Sequence, residues 1–212
     1  MYPVNLIVKD RSCAVIGGGR VAARKVHSLL ASEARVTVIA PELVPVLARE
    51  AADKRFVWRS SAYVPGMLQG FFLVICASDD AEANHLAAVE AHAAGALVNA
   101  AAEPAQSDFF VPSKVEHGDF LLTVSTGGQS PAFTRLLCQE LEKSYGEVYG
   151  EWLECLGHLR AEVKGRLPDS RQRQAFWRHV LDEHILALVR QHKLEEAEAE
   201  IRNAIDHFGT QS

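Results

Sequence analysis

The chain has 212 residues, 48% of them hydrophobic and 23% charged, the balance of an ordinary globular protein rather than a disordered, collagen-like or disulfide-stapled one. Its 22 Lys and Arg against 27 Asp and Glu leave a net charge of −5, so nothing global attracts nucleic acid or anionic lipid, and an anionic ligand must be held locally. The longest apolar run, Phe71 to Ala77, is far short of the roughly 20 residues of a membrane span, and the N-terminus lacks the segments of a signal peptide, so a cytoplasmic protein without a span is expected.

In chain order, short Val, Ile and Phe-rich runs alternate with Ala-rich helical stretches as far as residue 125. Strands are predicted at Val4–Val8, Cys13–Ile16, Val36–Ala40, Phe56–Arg59, Phe72–Cys76 and Leu97–Asn99, and helices over about 20–32, 42–53 and 80–94. This alternation implies an α/β fold, a Rossmann-type doubly wound parallel sheet, with functional residues following the strand ends. Segments 109–113 and 120–125 read as two further extended stretches that either prolong the sheet or pair across a subunit interface. Beyond Pro131 the sequence is helical. Ser130 is a candidate N-cap with Pro131 in the first turn, and helices follow from there to Gly146, from Val148 to near Pro168, and over about 170–191 and 194–208, the last with Leu194, Ala197, Ile201, Ile205 and Phe208 on one face. The expected divisions are 1–112, a dinucleotide-binding domain; 113–146, a dimerisation and substrate segment; and 147–212, a helical domain.

The strongest local signal is Gly17-Gly18-Gly19-Arg20-Val21-Ala22 directly after a strand. It fits G-x-G-x-x-A: Gly17 for the tight turn, Gly19 for close approach of a pyrophosphate to the backbone, and Ala22 for helix–strand packing. The helix start then offers free N–H groups and a positive dipole end to the phosphates. At the end of the Val36–Ala40 strand come Pro41 and Glu42. Glu42 either reaches the adenine ribose, which favours NAD over NADP, or is a first-turn glutamate suited to the helix dipole, while Arg20 leaves a 2′-phosphate contact open. Ala77 and Ser78, small residues at the end of the Phe72–Cys76 strand, leave room for a cofactor, and Ser78 or Asp79 is placed to cap the next helix. Cys13, Cys76, Cys138 and Cys155 include no C-x-x-C pair and read as reduced thiols. The pairs His85/His92, Glu154/His158 and His179 near Asp182 and Glu183 read as surface contacts, and no metal site is expected.

The order of these motifs, with Ala77-Ser78-Asp79-Asp80, Asn99, Phe110-x-Pro112-Ser113 and Ser125-Thr126-Gly127-Gly128-x-Ser130-Pro131, resembles the precorrin-2 dehydrogenase family, which also forms the N-terminal module of siroheme synthases. The resemblance covers essentially the whole chain. It implies a homodimer that passes hydride from precorrin-2 to NAD, giving sirohydrochlorin, with Fe²⁺ as a further substrate in members that also insert iron. It also implies that Arg20, Val21, Pro41 and Glu42 line the NAD site and that Ser125, Thr126, Gly127 and Gly128 form a loop beside the tetrapyrrole. One position departs from the family. Where similar members carry an aspartate after the strand that corresponds to Leu97–Asn99, taken as a catalytic acid/base, this chain has Ala102, followed by Glu103 and Pro104. Glu103 and His117, with Asp108 behind them, are the candidate replacements. Lys114 and Arg135 are candidate cations for a polycarboxylate substrate, each equally readable as a solvated charge. A non-catalytic NAD-binding sensor, or a module that holds tetrapyrrole for a partner, is the alternative that Ala102 keeps open.

Overall fold

The computed structural model describes residues 1–208, which form two compact units, one from Met1 to Val111 and one from Pro112 onward. In the first unit β1 (Ser12–Ile16), α1 (Arg20–Ala31), β2 (Arg35–Ile39), α2 (Pro45–Ala52), β3 (Val57–Arg59), β4 (Leu73–Cys76), α3 (Ala81–Ala93) and β5 (Leu97–Ala100) follow one another. All neighbouring strands are parallel, in the order β3-β2-β1-β4-β5. The alternation of side chains along each strand feeds two cores. Cys13, Val15, Val36 and Val38 face α1 and α2 with Val26, Leu29 and Leu47, whereas Ala14, Ile16, Val74 and Cys76 face α3 with Ala87 and Ala91. Strands buried on both faces explain why they read as continuous apolar runs.

Val4–Val8 is not a strand. Both edges of β1 are already taken, by β2 and β4, and of this segment only Val8 is buried, so its β propensity finds no partner. After β5 a short 3-10 turn at Pro104–Gln106 leads into residues 107–109, which satisfy the outer edge of β5. Ser107 Oγ accepts from Ala100 N at 2.9 Å, Asp108 Oδ2 accepts from Val98 N at 2.8 Å, and Asn99 Nδ2 donates to Phe109 O at 2.9 Å.

The second unit opens with an antiparallel ribbon, β6 (Ser113–His117) and β7 (Phe120–Val124), which is a sheet of its own and does not extend the first. Helices α4 (Pro131–Ser144), α5 (Val148–Arg166), α6 (Ser170–Val180), α7 (Glu183–Arg190) and α8 (Leu194–Phe208) follow. Ser130 caps α4, its Oγ accepting from Phe133 N at 3.2 Å. The single helix expected over 170–191 is two, because Asp182 leaves the helical conformation and its carboxylate accepts from His184 N and Ile185 N, starting α7 afresh. Trp152, Leu159, Val163, Phe176, Val189 and Ile201 form the core of this unit. The side chain of Phe208, assigned to the same face of α8, lies outside the described residues.

Candidate functional site

In the strand order of the first unit the chain runs outward from β1 to β3 and then returns to the other side of β1 as β4. The carboxyl ends of β1 and β4 therefore flank a topological switch point, where doubly wound sheets hold their ligands. Ile16 is paired with Ile39 on one side and Cys76 on the other, so Gly17, Ala40 and Ala77 leave the sheet side by side.

The three glycines there do different work. Gly17 has φ +111, and a Cβ on it would lie 2.5 Å from Ala77 O and 2.8 Å from Ser78 N; its N–H donates to Ile39 O at 2.9 Å. Gly18 is pinned harder. A Cβ there would lie 1.9 Å from Glu42 O, and Gly18 O accepts from Val44 N at 2.9 Å. The fingerprint treats this residue as a free position, and only the tertiary contact shows why a glycine stands there. Gly19 is the opposite case, with nothing within 4 Å of its Cβ position.

Gly19 is also the N-cap of α1, in extended conformation, with no side-chain cap and no acidic residue in the first turn. Arg20 and Val21 are exposed and Ala22 is fully buried against the sheet. The start of α1 thus presents backbone N–H groups and the positive dipole end at open space, an arrangement that receives a phosphate. These residues fit the pyrophosphate of a dinucleotide: the Cβ-free approach is at Gly19, while Gly17 and Gly18 are closed by the protein itself. Pro41 and Glu42 are exposed at the end of β2, and the Glu42 backbone is held against Gly18.

On the far side of the switch point, Ala77 and Ser78 are half-buried. The helix cap is Asp80, one residue beyond the two candidates read from sequence; its Oδ1 accepts from Ala83 N at 3.1 Å. Ser78 instead accepts from Asp80 N through its hydroxyl, at 3.2 Å. Sequence reading missed Asn84. This buried amide on α3 accepts from Ser78 N at 3.0 Å and donates to Ser78 O at 2.8 Å, fixing the backbone that Gly17 packs against. A polar residue on an otherwise Ala-rich helix face is the one signal that could have pointed to it. Burial pushes the Cys13 thiol up to about 11 and the Cys76 thiol up to about 12, so neither central-strand cysteine is a nucleophile at neutral pH.

Ala102 and Glu103 are exposed after β5. The Glu103 carboxylate accepts from Gln106 Nε2, which also lies 2.7 Å from His85 Nδ1. Asp108 is committed to Val98 N and to His92, 3.1 Å away, so its carboxylate is an edge cap rather than a base.

In the second unit, His117 ends β6, its ring mostly buried and not on a surface turn. Its Nε2 lies 3.2 Å from Glu142 Oε1 without the alignment of a hydrogen bond, and α5 crosses close over its backbone, since a Cβ on Gly150 would lie 2.5 Å from His117 O. Lys114 pairs with Glu116 of its own strand. Ser125 to Gly128 form a tight exposed turn in which Gly127 and Gly128 have φ +64 and +83. Ser125 Oγ accepts from Gly127 N and Thr126 Oγ1 from Ser130 N. Arg135 is exposed on α4, with no ion pair among the described residues. No group of three His, Cys, Asp or Glu able to hold a metal occurs among the described residues, and no helix among them is long and apolar enough to cross a membrane.

A parallel sheet with an open glycine turn at its switch point defines a Rossmann-type dinucleotide-binding protein. Comparison with known proteins agrees and narrows it. A family described as putative NAD(P)-binding matches residues 4–113, and a sirohaem synthase dimerisation region matches residues 148–205, that is, α5 to α8. Siroheme synthase of Methylobacillus flagellatus is 39% identical over 178 residues, 84% of this chain and 38% of that protein. Siroheme synthase of Nitrosococcus oceani is 36% identical over 205 residues, 96% of this chain and 44% of that protein. A solved structure described as SirC, precorrin-2 dehydrogenase, superposes with a TM-score of 0.78 at 26% identity, covering 96% of this chain and all of that one. The chain belongs to the family that unites precorrin-2 dehydrogenases with the N-terminal modules of siroheme synthases, and its nucleotide ligand is a nicotinamide cofactor. It spans about two fifths of the length of the siroheme synthases it matches.

Proposed function

We propose that the protein is an NAD-dependent dehydrogenase that converts precorrin-2 to sirohydrochlorin in the synthesis of siroheme or a related modified tetrapyrrole, and that it works as a homodimer. The observation that carries this reading is the Gly19 turn, the one glycine of three left open to a ligand, in a chain whose helices match a sirohaem synthase dimerisation region. When bound, NAD⁺ supplies the hydride acceptor. The chain's own part is placement: the N–H groups at the start of α1 hold the pyrophosphate, Ala77 and Ser78 keep the neighbouring strand end low, and Glu42 accepts from the ribose hydroxyls, which favours NAD over NADP. Alignment of donor and acceptor accounts for much of a hydride-transfer rate. The loop Ser125 to Gly128, with Lys114 and Arg135, is assigned to the polycarboxylate substrate.

Proton removal falls to Glu103, whose carboxylate is the exposed acid nearest the position of the missing aspartate, with His117 as the second candidate. Because Glu103 is engaged by Gln106, insertion of Fe²⁺, which must expel pyrrole protons, is expected to be weak. The test is anaerobic incubation with precorrin-2 and NAD⁺, followed by addition of Fe²⁺. NADH and the sirohydrochlorin spectrum should rise together, more slowly with NADP⁺; absence of both refutes the assignment. A non-catalytic NAD-binding sensor or tetrapyrrole holder is the second reading, favoured by Ala102, and tight NADH binding without turnover selects it.

A further inference from the structure

The dehydrogenase reading makes no use of the helical groove between α5 and α6. This groove, about 890 Å³ in volume, has an apolar floor that includes Leu156, Gly157 and Trp177, and cations along its walls. Arg160 and Lys164 stand one turn apart on α5, and Arg173 and Arg178 come from α6. Arg160, Lys164 and Arg178 are exposed and have no carboxylate partner among the described residues. Arg173 turns its Nη1 to the carbonyls of Leu167 and Pro168, neutral acceptors that leave its charge uncompensated. Helix α6 contains no acidic residue at all, and among the described residues Asp119 is the only carboxylate lining the groove. In a chain of net charge −5, four cations gathered on an apolar floor against one carboxylate form a local site for an anion.

The floor narrows the ligand. Gly157 has nothing within 4 Å of its Cβ position, so no side chain rises from α5 there, and the half-buried Trp177 lines the same groove. A bare wall, an indole and cations suit a ligand with a broad apolar face and acidic groups at its margin. A second copy of the groove laid on this one about a two-fold axis would bring arginine against arginine, so the groove does not complement itself.

We propose that the α5–α6 groove is a second binding site for a tetrapyrrole polycarboxylate, separate from the glycine-turn site, where the macrocycle is held before or after reaction. This rests on the proposed function for the identity of the ligand, and its test does not depend on turnover. The probe is uroporphyrin III, titrated calorimetrically into the full chain at several salt concentrations. The double variant Arg160→Glu/Lys164→Glu changes exposed side chains alone; it should weaken uroporphyrin binding at one site at least tenfold and reduce the salt dependence, with NADH affinity unchanged. Trp177→Phe should bind nearly as tightly but lose most of the tryptophan quenching that uroporphyrin causes in the parent.

Unchanged uroporphyrin binding in the double variant overturns the proposal. So does equal affinity for benzenehexacarboxylate or ATP, which would leave the apolar floor without a role, or a changed oligomeric state with binding intact, which would make the groove a protein interface. Turnover of precorrin-2 without groove binding sinks this site and spares the dehydrogenase; groove binding without turnover does the reverse.

Discussion

Adjacent glycines in the phosphate turn should respond to the same substitution in opposite ways. In Gly18→Ala the new methyl would sit 1.9 Å from Glu42 O and 3.0 Å from Glu42 C, backbone atoms that cannot swing aside like a side chain. The β2–α2 loop must move, breaking the bond from Val44 N to Gly18 O, and overpacking of this kind costs about 1–3 kcal/mol. For a chain of this length that corresponds to a fall in Tm of about 2–12 °C. In Gly19→Ala the methyl enters empty space. The backbone there has φ −83, which alanine adopts freely, so the roughly 0.4–1 kcal/mol gained by restricting the unfolded chain offsets the roughly 0.5–1 kcal/mol lost by a poorer N-cap. Tm should stay within about 2 °C of the parent. Affinity should not, because the methyl occupies the side from which a pyrophosphate approaches, and a loss of at least about 1.4 kcal/mol, tenfold in Kd, is expected. Thermal denaturation and NADH titration of both variants decide the matter. A Gly19→Ala protein with parental NADH affinity would refute the assignment of the turn, and a Gly18→Ala protein with parental Tm would refute the packing argument.

Other perturbations probe the supports of the site. Asn84→Ala leaves both backbone groups of Ser78 without partners and should cost about 1–3 kcal/mol, read in urea denaturation, with NADH affinity weakened by the loosened strand end; an unchanged midpoint would contradict this role. Glu90 clamps the loop before β4. Burial pushes its carboxyl up, but hydrogen bonds from Tyr63, Leu68 N and Gly66 N outweigh this and bring it below its ordinary value of 4.5. A depressed carboxylate contributes stability above its unfolded value that is lost as pH falls through the folded one, so Tm should drop below pH 4.5 and Glu90→Gln should flatten that drop; identical acid limbs would argue against the clamp. Restoring the family acid with Ala102→Asp should raise iron insertion about tenfold or more, measured as siroheme formed from sirohydrochlorin and Fe²⁺, and no gain would move the missing base elsewhere.

Most of the sheet was legible because β1, β2, β4 and β5 are largely buried and several helices open with a local signal, as with Gly19-Arg20 or Ser130-Pro131. Local signals also misled. Val4–Val8 has the composition of a strand, but the adjacent β1 is already paired on both edges, and residues 170–191 have helical periodicity but an aspartate that starts a new helix at Asp182. What stayed hidden at the candidate site depends on contacts distant in sequence. Gly18 is a glycine because of Glu42, and Asn84 is buried because Ser78 needs both of its backbone groups satisfied. The basic groove stayed hidden as well, since its cations come from two helices, Arg160 and Lys164 on α5 and Arg173 and Arg178 on α6.

The contact between Gly18 and the Glu42 carbonyl ties the phosphate turn to the loop that is assigned to discriminate the ribose. Exchanging cofactor preference by grafting a longer or reshaped loop over residues 40–44 would therefore dislodge the anchor for both coenzymes at once. Redesign toward NADP has to proceed by replacing the side chain at position 42 on an unaltered backbone, a narrow route that also constrains how a lineage carrying this turn can drift between the two coenzymes.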